Sequence, residues 1–317
     1  MAGLVITTTQ QSVSTTTVKT NLFDQKTIHG AYFALAAYCF WGVVPIYFKW
    51  VDDIAPLEIL CQRLVWALVL LLVILTFTGD LSKLKTPLRQ MPRIFLSASV
   101  LAINWLVFIY AVVNNNITDT SLGYFINPLV TILLGVFFLK ESLLPLQWLA
   151  VALAAIGIFI ELIWLGRLPW VALTLAFSFG FYGLLRKNLN MHAVAGLAIE
   201  SAIILPFALL YIFWLSTTGN MAFGRDIETS TVLALGGFVT AFPLLCFAAA
   251  VTRLPLTAIG FYQYIAPTIS LIIAIFVFGE PFDFIRATSF SCIWLALLIS
   301  TIASLRYQRK TEKIQIS

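Results

Sequence analysis

Four ionisable side chains interrupt long apolar runs: Glu58 and Arg63 within one run, Glu161 in another and Glu200 in a third. Each type implies a chemistry. Arginine keeps its charge at any working pH and presents a planar fork of donors, which suits it to hold a carboxylate or another anion. Its blander role is to pair with Glu58, five residues earlier, or to snorkel. A carboxyl group buried in apolar surroundings is pushed toward neutrality and can carry a proton, so Glu200 is a coupling candidate. It can equally pair with Arg186 or Lys187. Glu161 is expected to reach a surface. Three amides stand in similar runs: Asn104, Asn127 and Gln263. An amide in hydrocarbon needs a partner, and a solute or water supplies one.

Around these groups stand helix breakers and rings. "SLGYFINPLVTILLGVFFLKE" (121–141) carries Asn127 and Pro128 near its middle, and "GFYQYIAPTISLIIAIFVFGE" (260–280) carries Gln263, Tyr264 and Pro267. Trp41 and Pro45 are close in another run, and Trp105 follows Asn104. Proline leaves a backbone carbonyl without its helical donor, so Pro45, Pro128 and Pro267 are gating candidates. Trp41, Arg63, Asn104, Asn127, Gln263 and Tyr264 form the candidate solute site. Gly123, Asn127, Thr131 and Gly135 make one small polar stripe, and Gly260, Gln263, Pro267, Ser270 and Ala274 make another. Small residues at that spacing also let helices pack closely.

The elements that must position these groups follow from composition. The chain has 317 residues, 61% hydrophobic and 10% charged, far below the charge needed to coat a water-facing surface of this size. Its apolar runs are of the length that crosses about 30 Å of hydrocarbon as a helix. The expected fold class is an all-α polytopic membrane protein of ten spans: 30–50, 56–78, 93–113, 118–139, 143–165, 169–187, 193–216, 230–251, 256–278 and 284–305. Residues 1–29 are expected to be a disordered cytoplasmic tail and 306–317 a second tail. There is no P-loop, no H-E-x-x-H and no nucleophile–base set, which argues against an ATP-driven pump, a zinc protease or another enzyme. No cofactor or metal is expected. The net charge of +5 does not point to nucleic acid, because its placement follows the membrane. With the N-terminus in the cytoplasm, only Lys49, Arg167, Arg225 and Arg286 fall outside and Arg63 within a span; every other Lys and Arg is inside.

A shift of 139 residues sets Pro128 on Pro267 and Glu141 on Glu280. A shift of 138 sets Gly42 on Gly180 and Lys49 on Lys187. The repeat unit is therefore five spans, 30–165 and 169–305. An odd unit enters the membrane inverted the second time, the layout of many secondary transporters with a site near mid-membrane.

The stretches "WGVVPIYFK", "EILCQRLVW", "NWLVFIYAV", "SLGYFINPL", "LAFSFGFYGLLRK", "FPLLCFAAAVTRLPL" and "GFYQYIAPT" resemble the RarD-type branch of the EamA family, in the drug/metabolite transporter superfamily. The resemblance spans about Gly30 to Arg309. It implies ten helices in two inverted repeats and export of small organic molecules or drugs; chloramphenicol is the compound attached to the family name. Gln62 stands where the family often has His. The expected function is thus a secondary transporter of a small organic solute in the inner membrane, with both termini cytoplasmic. Its partners are the solute, the lipid bilayer and a coupling proton, and the sequence leaves room for a homo-oligomer. A channel-like facilitator and a non-transporting membrane sensor are the rival readings.

Overall fold

The computed structural model describes residues 25–114, 117–166, 168–279 and 284–316. The described residues are helical with short connections. The helices are α1 (Gln25–Lys49), α2 (Pro56–Phe77), α3 (Met91–Val113), α4 (Ile117–Leu139), α5 (Pro145–Leu165) and α6 (Trp170–Leu189). They continue as α7 (Ala193–Thr218), α8 (Ile227–Val251), α9 (Leu256–Gln263), α10 (Ile265–Phe276) and α11 (Phe284–Ile316). Two 3-10 turns, Asp80–Leu84 and Leu88–Gln90, join α2 to α3.

Local sequence accounts for the ends. Prolines open the first turns of α2, α3 and α5, where the missing N–H has no helical acceptor. Gly166 and Gly219 close α5 and α7 in the left-handed conformation that only glycine adopts freely. The Asp226 side chain caps α8 by accepting from the Thr229 amide at 2.7 Å.

Among the described residues, nine helical segments are long and apolar enough to span a bilayer. The sixth expected span, α6, is not among them. It carries Arg186 and Lys187 in its last turn, and its buried face includes Gly180, Gly183 and Ser178. It packs against α3, α4 and α8, so little of it must be apolar enough for lipid. With it the chain is a polytopic bundle of about ten spans.

Three boundaries differ from expectation. The first helix starts at Gln25 rather than residue 30, and the last runs on to Ile316 through the stretch expected as a tail. Residues 1–24 of the expected N-terminal tail, and Glu280, lie outside the described residues. The ninth span, Leu256–Phe276, is interrupted at Tyr264, which parts α9 from α10 while its backbone stays in the right-handed helical region (φ −65°, ψ −14°). The break sits one turn before Pro267 because proline acts on the carbonyl four residues back, here that of Gln263. Pro45 and Pro128 are a correction in the other direction: both lie inside unbroken helices.

The main core cluster draws buried residues from every helix, α1 to α11, and is rich in alanine. A Cβ on Gly237 would lie 2.4 Å from the Trp66 backbone of α2, and one on Gly260 2.8 Å from the Pro128 carbonyl of α4. Glycine at these two sites lets α8 and α9 approach their neighbours at backbone distance.

Candidate functional site

The sequence-predicted residues fall into three groups. The first surrounds the break in span nine. Trp41 packs on Tyr38, Phe179 and Phe247, with ring centroids 5.5, 5.6 and 6.0 Å away. Tyr182 stacks on Phe247 at 5.9 Å. These rings from α1, α6 and α8 form an aromatic panel. Beside it the Tyr38 hydroxyl faces Gln263. Neither that hydroxyl, Gln263 Oε1 nor the Tyr264 hydroxyl has a hydrogen-bond partner among the described residues, and all three are buried. Each such atom costs about 1–3 kcal/mol.

The prolines belong to the same pattern. Pro45, Pro128 and Pro267 remove the helical donor from the carbonyls four residues earlier, which are those of Trp41, Tyr124 and Gln263. Two of these three residues were sequence candidates, so backbone acceptors and ring or amide side chains are exposed at the same places.

The second group centres on Arg63. Its Nε donates to Thr240 Oγ1 at 2.8 Å, and its guanidinium lies over the Phe48 ring, 5.1 Å from the centroid. Tyr47 and Tyr124 are its electrostatic neighbours. The expected pairing of Arg63 with Glu58 does not occur. Glu58 instead accepts from the Ala222 amide at 2.8 Å and the Phe223 amide at 3.0 Å. It clamps α2 to the α7–α8 connection, where three amide contacts satisfy a carboxylate well.

The third group holds Glu200. It is fully buried, 3.5 Å from Arg186 Nη1, and accepts from Ser97 Oγ at 2.7 Å and the Tyr182 hydroxyl at 3.2 Å. Of the two pairings open in the sequence, Arg186 is the one formed. Lys187 turns away to the Val251 and Leu254 carbonyls and lies 3.8 Å from Glu141. Glu141 in turn accepts from the Leu256 and Thr257 amides, each at 2.8 Å, capping α9. Glu58 and Glu141 therefore fasten opposite ends of the bundle in the same manner.

The remaining candidates are placed in packing. Asn104 donates to the Leu175 carbonyl at 3.0 Å and to Ser178 Oγ at 2.9 Å, pinning α3 to α6. Asn127 accepts from Thr131 at 3.2 Å within its own helix. Along its stripe, Gly123 rests on the α6 backbone and Gly135 on the start of α9. The second stripe meets α1, where Ser270 donates to the Gly42 carbonyl at 3.0 Å. Gly123, Gly135, Gly260 and Ser270 are thus helix-packing positions. Sequence reasoning missed Tyr38, Tyr47, Tyr124, Phe179, Thr240 and Phe247. Aromatics are common in such runs, and only helix rotation distinguishes those that meet.

Similarity to known proteins agrees with this architecture. The EamA-like transporter family matches residues 28–163. The chain is 41% identical over 293 residues to Protein RarD of Escherichia coli, covering 91% of this chain and 99% of that one. It is 43% identical over 282 residues to a transporter of Vibrio cholerae, covering 87% and 93%. A solved crystal structure at 15% identity superposes with a TM-score of 0.70 over 87% of this chain and 98% of the other, which establishes the fold.

Proposed function

Because the chain belongs to the EamA-like transporter family, with RarD-type relatives along nearly its whole length, we propose that this membrane transporter is a secondary exporter of a small organic solute. It works by alternating access across the bacterial inner membrane, with both termini in the cytoplasm. The Glu58 end then faces outward and the Glu141 end inward.

One observation carries the reading. An interruption of span nine at Tyr264 follows Gln263, and the buried, unpartnered Tyr38 hydroxyl and Gln263 Oε1 lie beside an aromatic panel. The break is about 12 Å along the span from Leu256. Broken helices at such depth mark solute sites in transporters. A small organic solute stacks on Trp41 and Phe247 and supplies the missing partners to Tyr38, Gln263 and Tyr264.

Packing supports two inverted halves, 30–165 and 169–305. Exchange α1 with α6, α2 with α7, α3 with α8, α4 with α9–α10, and α5 with α11. The pairs α1–α8 and α3–α6 then exchange, as do α2–α8 with α3–α7 and α4–α6 with α1–α10. The pairs α2–α7, α4–α9 and α5–α11 map onto themselves. Five spans per half place the two halves in opposite directions.

Reconstituted protein tests the reading. Proteoliposomes loaded with phenicols, amines or amino acids, with and without a proton gradient, should show saturable counterflow for at least one solute. Flux without counterflow would make the chain a facilitator, and no flux of any solute would remove transport.

A further inference from the structure

We propose that the transported solute carries a carboxylate, and that the end of the Arg63 guanidinium receives it. This rests on the transport reading above and names the chemical class of the cargo.

Arg186 and Glu200 have side chains 2% and 1% exposed and neutralise each other. Arg63 sits about 10 Å along α2 from Pro56, in a segment apolar enough to span the bilayer. No carboxylate lies within ion-pair distance of it among the described residues. Glu58 is the nearest acidic residue on its helix, and that carboxylate is already committed to Ala222 and Phe223. A permanent cation held within a membrane span without a counter-charge marks a functional site.

The repeat sharpens the contrast. The shift that sets Lys49 on Lys187 sets Phe48 on Arg186 and Gln62 on Glu200. At the positions where the second half carries its own ion pair, the first half carries a ring and a neutral amide, and Arg63 stands next to them uncompensated.

The surroundings orient the guanidinium for a ligand. Thr240 already gives its proton to the Gly236 carbonyl at 2.9 Å, so its oxygen accepts from Arg63 Nε. Phe48 covers one face of the fork. Nη1 and Nη2 have no hydrogen-bond partner among the described residues, and together they form the end-on pair of donors that matches the two oxygens of a carboxylate. The Tyr47 hydroxyl is buried with no partner. It lies beside the Arg63 stem: a Cβ on Gly236 would be 2.5 Å from both Arg63 Cγ and the Tyr47 oxygen. Tyr124, 50% exposed, adds a second phenol within electrostatic reach. Two neutral donors around a fixed cation suit an anion and disfavour an amine. A lipid phosphate shares this chemistry, so the test separates the two sources.

Thermal unfolding of the purified full chain in detergent is measured against acetate, benzoate, phenylacetate and hippurate, each beside its amide. At least one carboxylate should raise the midpoint saturably, and its amide should not. Arg63→Gln should abolish the shift. Arg63→Lys, which keeps the charge and protects against a folding artefact, should weaken affinity about tenfold by losing the fork. Equal shifts from acid and amide, no shift from any acid, or an undiminished shift in both variants would overturn the proposal. So would an Arg63-dependent shift from added phosphatidylglycerol that no carboxylate displaces. Counterflow separates the two readings. Transport of neutral solutes that ignores Arg63→Gln sinks the carboxylate alone. Arg63-dependent binding without any flux sinks transport and leaves the site.

Discussion

Arg186 Nη1 and Glu200 Oε1 lie 3.5 Å apart where neither side chain reaches solvent. The pair joins α6 to α7, and Ser97 draws α3 to the same carboxylate. Removing either partner strands a buried charge, which costs about 3–5 kcal/mol. Glu200→Gln should therefore lower the thermal midpoint sharply in detergent, and Arg186→Gln/Glu200→Gln should recover much of the loss. The folded fraction of Glu200→Gln should still accumulate solute on a proton gradient. Exchange without accumulation would instead make Glu200 the coupling carboxylate.

Healing the break in span nine should slow transport. Pro267→Ala restores an N–H for the Gln263 carbonyl, a bond of about 1 kcal/mol. If that bond must open on each cycle, exchange slows roughly fivefold. The variant should also melt higher than the parent. Faster exchange in a stabilised Pro267→Ala protein would show that the break is only structural.

The two clamps should open separately. Glu58→Gln weakens the hold on the Ala222 and Phe223 amides, and Glu141→Gln the hold on Leu256 and Thr257. In a background free of Cys39, Cys61, Cys246 and Cys292, a cysteine replacing Ala222 should react severalfold faster with a membrane-impermeant maleimide when Glu58 is changed. It should not respond to Glu141→Gln. An equal response to both changes would mean that the ends are not independent.

Orientation is testable by fusion. Alkaline phosphatase joined after Lys310 should be inactive and joined near Gly219 active. The reverse pattern would invert the bundle.

Much of the scaffold was legible in the sequence because lipid imposes one rule on every span. Runs of apolar residues placed most helices to within a few residues. The sixth span was counted from its apolar run, although Arg186 and Lys187 leave it more polar than the other spans. The site was legible in part. Trp41 and Gln263 each stand four residues before a proline, and that signal is local. Arg63 stood out as a charge in oil, but its neighbours did not. Whether Tyr47, Tyr124 or Thr240 faces it depends on helix rotation and on close approach at Gly236, which are settled between helices. Asn104 carried the same signal as Gln263, yet the Leu175 carbonyl and Ser178 take up its amide N–H groups.

Glu58 reaches for main-chain N–H groups, and Glu141 for two such groups together with the Thr257 hydroxyl at 2.9 Å. The four receiving positions, Ala222, Phe223, Leu256 and Thr257, can therefore exchange one side chain for another and still donate, with proline the exception. The carboxylate positions have no such latitude, since shortening or neutralising either one loses the contact. Each joint thus depends most on a single carboxylate. The connections that supply the amides can vary in side chain at these joints without unfastening the fold.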